Sequence, residues 1–186
     1  EKIIKDYEKE GYKINVTTLT AADYAVPQMR KRVIFIGNRL GLKNLHPKPF
    51  LNAANHKTTK DAISDLIDKE DNPDFNHVST KHSKDMQQRI SNVKEGKSLY
   101  KNYSDSWKKC PWDKPSCTIK ENHGGVNLHP KKGRVLTARE MARIQSFPDD
   151  FIFEGSKSKQ LVQLGNAVPP LLAKAIGLSI IKSYKQ

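Results

Sequence analysis

The chain has 186 residues, enough for one sizeable domain or two small ones. Its formal charge of +13 and pI near 9.7 point to a polyanionic partner, of which nucleic acid is the commonest, although a lysine-rich soluble surface gives the same count. No apolar run approaches the ~20 residues that span a bilayer, and the charged, amphipathic opening residues are not expected to form a signal peptide. The two cysteines, Cys110 and Cys117, leave a pairing open, but so basic and cysteine-poor a chain is expected to keep reduced thiols inside a cell. The first residue is Glu1, not methionine. That start fits a fragment, an isolated domain or a split subunit.

In chain order, residues 1–12 read as the end of an amphipathic helix, with Ile3, Ile4 and Tyr7 on one face and Gly11 at the C-terminal cap. Ile14 and Val16 alternate with polar neighbours, which predicts a strand. A loop containing Pro27 leads to Val33-Ile34-Phe35-Ile36-Gly37, a continuous apolar run expected to be a buried strand. The middle, from about Leu40 to Lys132, is polar, with recurring prolines and short helices. One helix is expected from Thr58 or Thr59, turning Ala62, Ile63, Leu66 and Ile67 inward. Another is expected from Ser83 to Val93, with Met86, Ile90 and Val93 on one side and Gly96 after its end. Trp107 to Leu128 reads as short strands and loops.

Local signals strengthen again near the end. Thr137 and Glu140 form a capping box, with Leu136 and Met141 placed as a hydrophobic staple, and this helix ends before Pro148. Gly165 and Asn166 read as a tight turn and cap. A longer helix opens at Pro169 or Pro170 and buries Leu172, Ala175, Ile176 and Ile180.

Three blocks carry a resemblance: Pro27-Gln28-Met29-Arg30-Lys31-Arg32, Arg134-Val135-Leu136-Thr137-Ala138-Arg139-Glu140, and Gln163-Leu164-Gly165-Asn166-Ala167-Val168-Pro169-Pro170. In that order they resemble the closing half of a DNA (cytosine-5) methyltransferase. The resemblance implies an α/β fold. It would be the C-terminal part of a Rossmann-like methyltransferase catalytic domain, with a small α+β target-recognition domain inserted. On this reading residues 1–40 end the catalytic domain, 41–133 recognise the target, and 134–186 return to the catalytic domain. The resemblance also implies double-stranded DNA as substrate, S-adenosylmethionine as cofactor, and use in the cytoplasm of a bacterium, on its nucleoid, within a restriction–modification system.

Residue by residue, Gln28, Arg30 and Arg32 alternate on an extended segment and are expected to point one way. The resemblance gives them to the active site. Arg32 would contact the cytosine O2, and Arg30 would brace the catalytic loop and a nearby phosphate. Asn166 and Ala167 would touch the methionine end of S-adenosylmethionine, Ala167 through its backbone. Thr118, Ile119, Lys120, Asn122, His123, Gly124, Gly125 and Asn127 form the expected base-reading loop. Arg139 and Arg143 are expected to fasten the recognition region, with phosphate contact as the other possibility.

The family's nucleophile, a cysteine in a Pro-Cys pair ahead of the arginine block, has no counterpart here. Cys110 precedes a proline, Cys117 follows Ser116, and both come after the arginines. The missing N-terminal half is therefore the expected partner, supplying the thiol and most of the cofactor site, and the chain alone is expected to be inactive. A non-catalytic DNA-binding or regulatory module is the alternative. Glu121-Asn122, out of order, is read as coincidence. Cys110, Cys117, His123 and His129 lack the spacing of a zinc knuckle, so no metal is expected.

Overall fold

The computed structural model describes residues 2–102, 106–120 and 126–185. Helix α1 (Lys2–Lys9) ends ahead of Gly11, whose φ of +81° needs a residue without a side chain. Strands β1 (Lys13–Thr20) and β2 (Lys31–Asn38) then form an antiparallel hairpin, with Thr20 opposite Lys31 and Lys13 opposite Asn38. Helix α2 (Thr59–Ile63) starts on a capping box made by Thr58 and Asp61. Helix α3 (Lys84–Asn92) is capped by Ser83. Helices α4 (Ala138–Ile144), α5 (Lys157–Asn166) and α6 (Pro170–Tyr184) close the chain. Lys157–Tyr184 is apolar enough to suggest one long span, but Ala167 to Pro169 are not helical. The break leaves helices of 10 and 15 residues, each short of a bilayer's ~20.

Among the described residues, two apolar cores form. The larger gathers Ile63 and Leu66 near α2, Ile90 of α3, Cys110, Ile119 and Leu128, then Leu136, Met141 and Ile144 around α4, and Leu161 and Leu164 of α5. The smaller joins Leu19, Ala21, Tyr24 and Val26 to Leu172 of α6, with Ile34, Ala175 and Ile176 against it. Packing therefore does not break at the expected 133/134 boundary: α4 and α5 share a core with the residues before them, and α6 packs on the hairpin.

The expected strand at Val33–Gly37 forms, but it is not buried as a whole. Ile36 is 8% exposed, whereas Val33 and Phe35 are 55% and 43% exposed. Directly paired residues share a face. Val33 and Phe35 therefore lie with Thr18 and Val16, on the side away from α6. Ile180, expected inward on α6, is 36% exposed, beside the more open Leu178 and Ile181. An uncovered apolar face favours association. Replacing both Val33 and Phe35 with Thr is expected to reduce concentration-dependent self-association in sedimentation experiments. The change in stability should stay within about 1 kcal/mol, since neither site is in a core.

The block that opens α4 is a buried polar knot. Thr137 accepts from the Glu140 amide, and the Glu140 carboxylate accepts from the Thr137 amide at 2.8 Å and from both Arg134 Nη atoms at 2.8 and 2.7 Å. His129, fully buried, accepts the amides of Lys131 and Lys132 on Nδ1, so the neutral ring carries its proton on Nε2, 3.5 Å from Glu140. Burial pulls the His129 imidazole down to about 4. Burial opposes ionisation of Glu140, but the Arg134 bonds outweigh it and hold the carboxyl below its ordinary range.

The sign follows from proton uptake. Between pH 6.5 and about 4 the unfolded chain binds a proton at His129 that the folded chain does not. Stability is thus expected to fall with decreasing pH across that window, by up to about 1.4 kcal/mol per unit, and further as Glu140 protonates. Urea unfolding at pH 7 and pH 4.5 measures this, and His129→Gln should flatten the upper part of the profile.

Candidate functional site

Residues of the first and third blocks meet at one place, beside the end of α4. Backbone bonds align Pro27–Arg30 beside Ser116–Ile119: the Met29 amide donates to Ser116 O at 2.9 Å, and the Ser116 amide to Pro27 O at 2.9 Å. Thr118 Oγ1 adds a bond to Met29 O at 2.7 Å. A relay of buried amides then runs across the core. The Ile119 amide donates to Gln28 Oε1 at 2.9 Å, Gln28 Nε2 to Gln145 Oε1 at 2.9 Å, and Gln145 Nε2 to Leu164 O at 2.6 Å. Each side-chain amide both donates and accepts, so burial leaves neither unsatisfied.

Arg30 is the centre. Its Nη1 donates to Ile119 O at 2.9 Å, and its Nη2 to Gly165 O at 3.0 Å and Ala167 O at 3.2 Å. The last carbonyls of a helix lack intrahelical partners, and a cation suits the negative end of the helix dipole. Arg30 and Gln145 supply those bonds for α5. Burial, and next the like charge of Arg32, lower the Arg30 guanidinium to about 10, which still leaves it charged at neutral pH.

The expected common direction of Gln28, Arg30 and Arg32 separates by burial. Gln28 and Arg30 are buried and engaged inside. Arg32 pairs with Leu19, which places it on the α6 side of the hairpin, yet it is exposed, and its Nη1 donates to the adjacent Lys31 O at 2.8 Å. Of the three, Arg32 alone presents its guanidinium to solvent.

The expected Gly165-Asn166 turn is instead the last turn of α5. Neither residue caps α6. That helix starts on Pro170, and its Leu171 amide is met by Ser146 Oγ at 3.2 Å. Asn166 is exposed at the end of α5. Ala167 was expected to offer its backbone to a ligand, but its amide goes to Leu164 O and its carbonyl takes Arg30.

In the expected base-reading loop, Asn122, His123, Gly124 and Gly125 lie outside the described residues. Ile119 is buried and tied by its backbone, so its side chain is core. Thr118, Lys120 and Asn127 do converge, lining a cleft of about 380 Å³ with Met29, Lys108 and Cys117. Arg139 is buried, donating to Phe75, Pro148 and Phe151 carbonyls, and Arg143 bridges Asp65 and Asp149. Both fasten α4 to its surroundings, and neither is presented to a phosphate. Sequence reasoning missed Gln145 and Lys108. Gln145 follows the α4 motif without any local signal, and Lys108 is one lysine among many.

The profile of the C-5 cytosine-specific DNA methylase family matches residues 1–182, and the chain belongs to that family. The type II methyltransferase M1.HphI of Haemophilus parahaemolyticus is 39% identical over 193 residues, which cover 97% of this chain and 51% of that protein. M.DdeI of Desulfomicrobium norvegicum is 31% identical over 232 residues, covering 94% and 55%. The chain thus spans about half the length of these curated relatives. In fold it is similar to a chain assigned as a DNA modification methyltransferase of an E. coli prophage. The TM-score is 0.78 at 24% identity, covering all of this chain and 64% of the other. It is also similar to the Entamoeba histolytica methyltransferase EhMeth, with a TM-score of 0.59 at 17% identity, covering 100% and 58%.

Proposed function

We propose that these residues are the C-terminal, DNA-recognising part of a DNA (cytosine-5) methyltransferase, which moves a methyl group to C5 of a cytosine extruded from double-stranded DNA. The observation that carries this reading is the Arg30 guanidinium. It ties Ile119 to the junction of α5 and α6 while Arg32 stays exposed on the α6 side of the hairpin. Arg32 is the group that meets the base. Attack of a thiolate at C6 drives negative charge into the ring toward O2, and a preorganised guanidinium there stabilises it. Gln28 and Arg30 position that pocket from behind.

S-adenosylmethionine, when bound, supplies the electrophilic methyl group. The chain's contribution to holding it is the Asn166 amide, exposed beside the carbonyls that Arg30 fixes. Neither cysteine serves as nucleophile: Cys110 is buried and Cys117 follows the arginine block. The thiol and the rest of the cofactor site come from an N-terminal half, on the same chain or a separate subunit. The middle of the chain acts as the recognition region, on the core that it shares with α4 and α5. Thr118, Lys120 and Asn127 face DNA, and the sequence between them supplies Asn122, His123, Gly124 and Gly125 as further base-reading residues. The enzyme works in the bacterial cytoplasm as part of a restriction–modification system.

Duplex-DNA binding by the chain tests this reading. Affinity should fall steeply with salt, and Lys108→Ala and Lys120→Ala should each lower the slope of log affinity against log salt by about 1. Absent or salt-independent binding would contradict the proposal. Sequence-selective binding that never leads to methyl transfer, even with the N-terminal half present, would favour a non-catalytic DNA-binding module.

A further inference from the structure

Cys110 and Cys117 take no part in the interactions assigned above to the pocket. They lie together. Ser116 Oγ donates to Cys110 Sγ at 3.2 Å and to Cys117 O at 3.0 Å, so one hydroxyl bridges the two residues. Both are thiols, with no disulfide between them. Their surroundings differ. Cys110 is fully buried in the larger core, whereas Cys117 is half-buried and lines the cleft that Lys108 and Lys120 also line. The neighbouring Cys117 side chain, then burial, raise the Cys110 thiol, so the inner sulfur keeps its proton. The outer sulfur, at the cleft, is the one that a peroxide reaches from solvent. The thiolate is the form that peroxides oxidise, and an accessible thiol reaches it more readily than a buried one.

We propose that Cys117 and Cys110 form a peroxide-responsive pair, in which the outer thiol is oxidised first and the inner one closes an intramolecular disulfide. In the first step the Cys117 thiolate attacks one peroxide oxygen and the O–O bond breaks. Cys117 becomes a sulfenic acid, and the departing hydroxide is protonated to water. In the second step the Cys110 sulfur attacks the Cys117 sulfur and the S–O bond breaks. The hydroxide leaves as water with the Cys110 proton. In sum two thiols give up two electrons and two protons to one hydrogen peroxide, forming one disulfide and two waters.

The bridge has a consequence for the cleft. Ser116–Ile119 is already tied on one side to Pro27–Arg30. A disulfide ties Cys117 to the core and draws it back from the cleft that Thr118, Lys120 and Asn127 line. That oxidation alters DNA affinity rests on the DNA-facing role proposed for the cleft. Formation of the bridge does not.

The test is peroxide treatment of the protein followed by trypsin and mass spectrometry. Residues 110–120 form one tryptic peptide holding both cysteines. After hydrogen peroxide that peptide should lack two hydrogens and resist alkylation, and dithiothreitol should reverse both effects. Before oxidation, alkylation should be at least about tenfold faster at Cys117 than at Cys110. Cys110→Ser should leave a sulfenic acid at Cys117 that dimedone traps, and Cys117→Ser should abolish both products. Unchanged thiols after peroxide, a first sulfenic acid at Cys110, or bridges only between molecules would each overturn the pair. A bridge that forms yet leaves DNA affinity within twofold would overturn only its consequence for the cleft.

Discussion

Arg32→Ala is expected to lower methyl transfer by the assembled enzyme roughly 100- to 1,000-fold while shifting unfolding free energy by no more than about 0.5 kcal/mol. The small stability term follows from exposure: the Arg32 guanidinium touches solvent and its neighbour's carbonyl. On the role proposed for Arg32, the large kinetic term follows from where charge develops, because a donor at the base oxygen acts mainly in the transition state. DNA affinity should change far less than turnover, since one cation among many is removed. Arg32→Lys should recover only part of the rate, an ammonium being a point charge where a planar fork is needed. Turnover that survives Arg32→Ala would sink the pocket assignment.

Arg30→Ala should behave in the opposite way, costing roughly 3–5 kcal/mol of stability through three lost charge-assisted hydrogen bonds. The Ile119, Gly165 and Ala167 carbonyls would lose their donor together, and the end of α5 its counter-charge. Arg30→Lys cannot repair this, because one short-ranged ammonium cannot reproduce a fork spanning Ile119 and the α5–α6 junction. Urea midpoints read the loss directly. A cost below about 1 kcal/mol would mean that the three segments are held together by other contacts.

How legible these features were in the sequence depended on how local their causes are. Thr58 with Asp61 and Thr137 with Glu140 marked their helices, because a capping box is complete within four residues. Pro170 marked α6 for the same reason. The Val33–Gly37 run announced a strand but not its burial, which depends on what covers each face. Helix α5 was missed because Gly165-Asn166 reads as a turn, and the long-range bonds from Arg30 and Gln145 that complete its last turn leave no local trace. The arginine block was recognisable as a motif. Its division into a buried brace and an exposed guanidinium was not, since Ile119 and Gly165 lie 89 and 135 residues from Arg30.

That division links the fold to the proposed chemistry. Arg30 satisfies carbonyls from two distant stretches, and Arg32 remains open beside them. The most direct measurement is incorporation of radiolabelled methyl groups into duplex DNA by the 186-residue chain, alone and mixed with the proposed N-terminal half. The account predicts no incorporation by the chain alone and label on cytosine C5 once the halves are combined. Incorporation by the chain alone, or none from the combined halves, would contradict it.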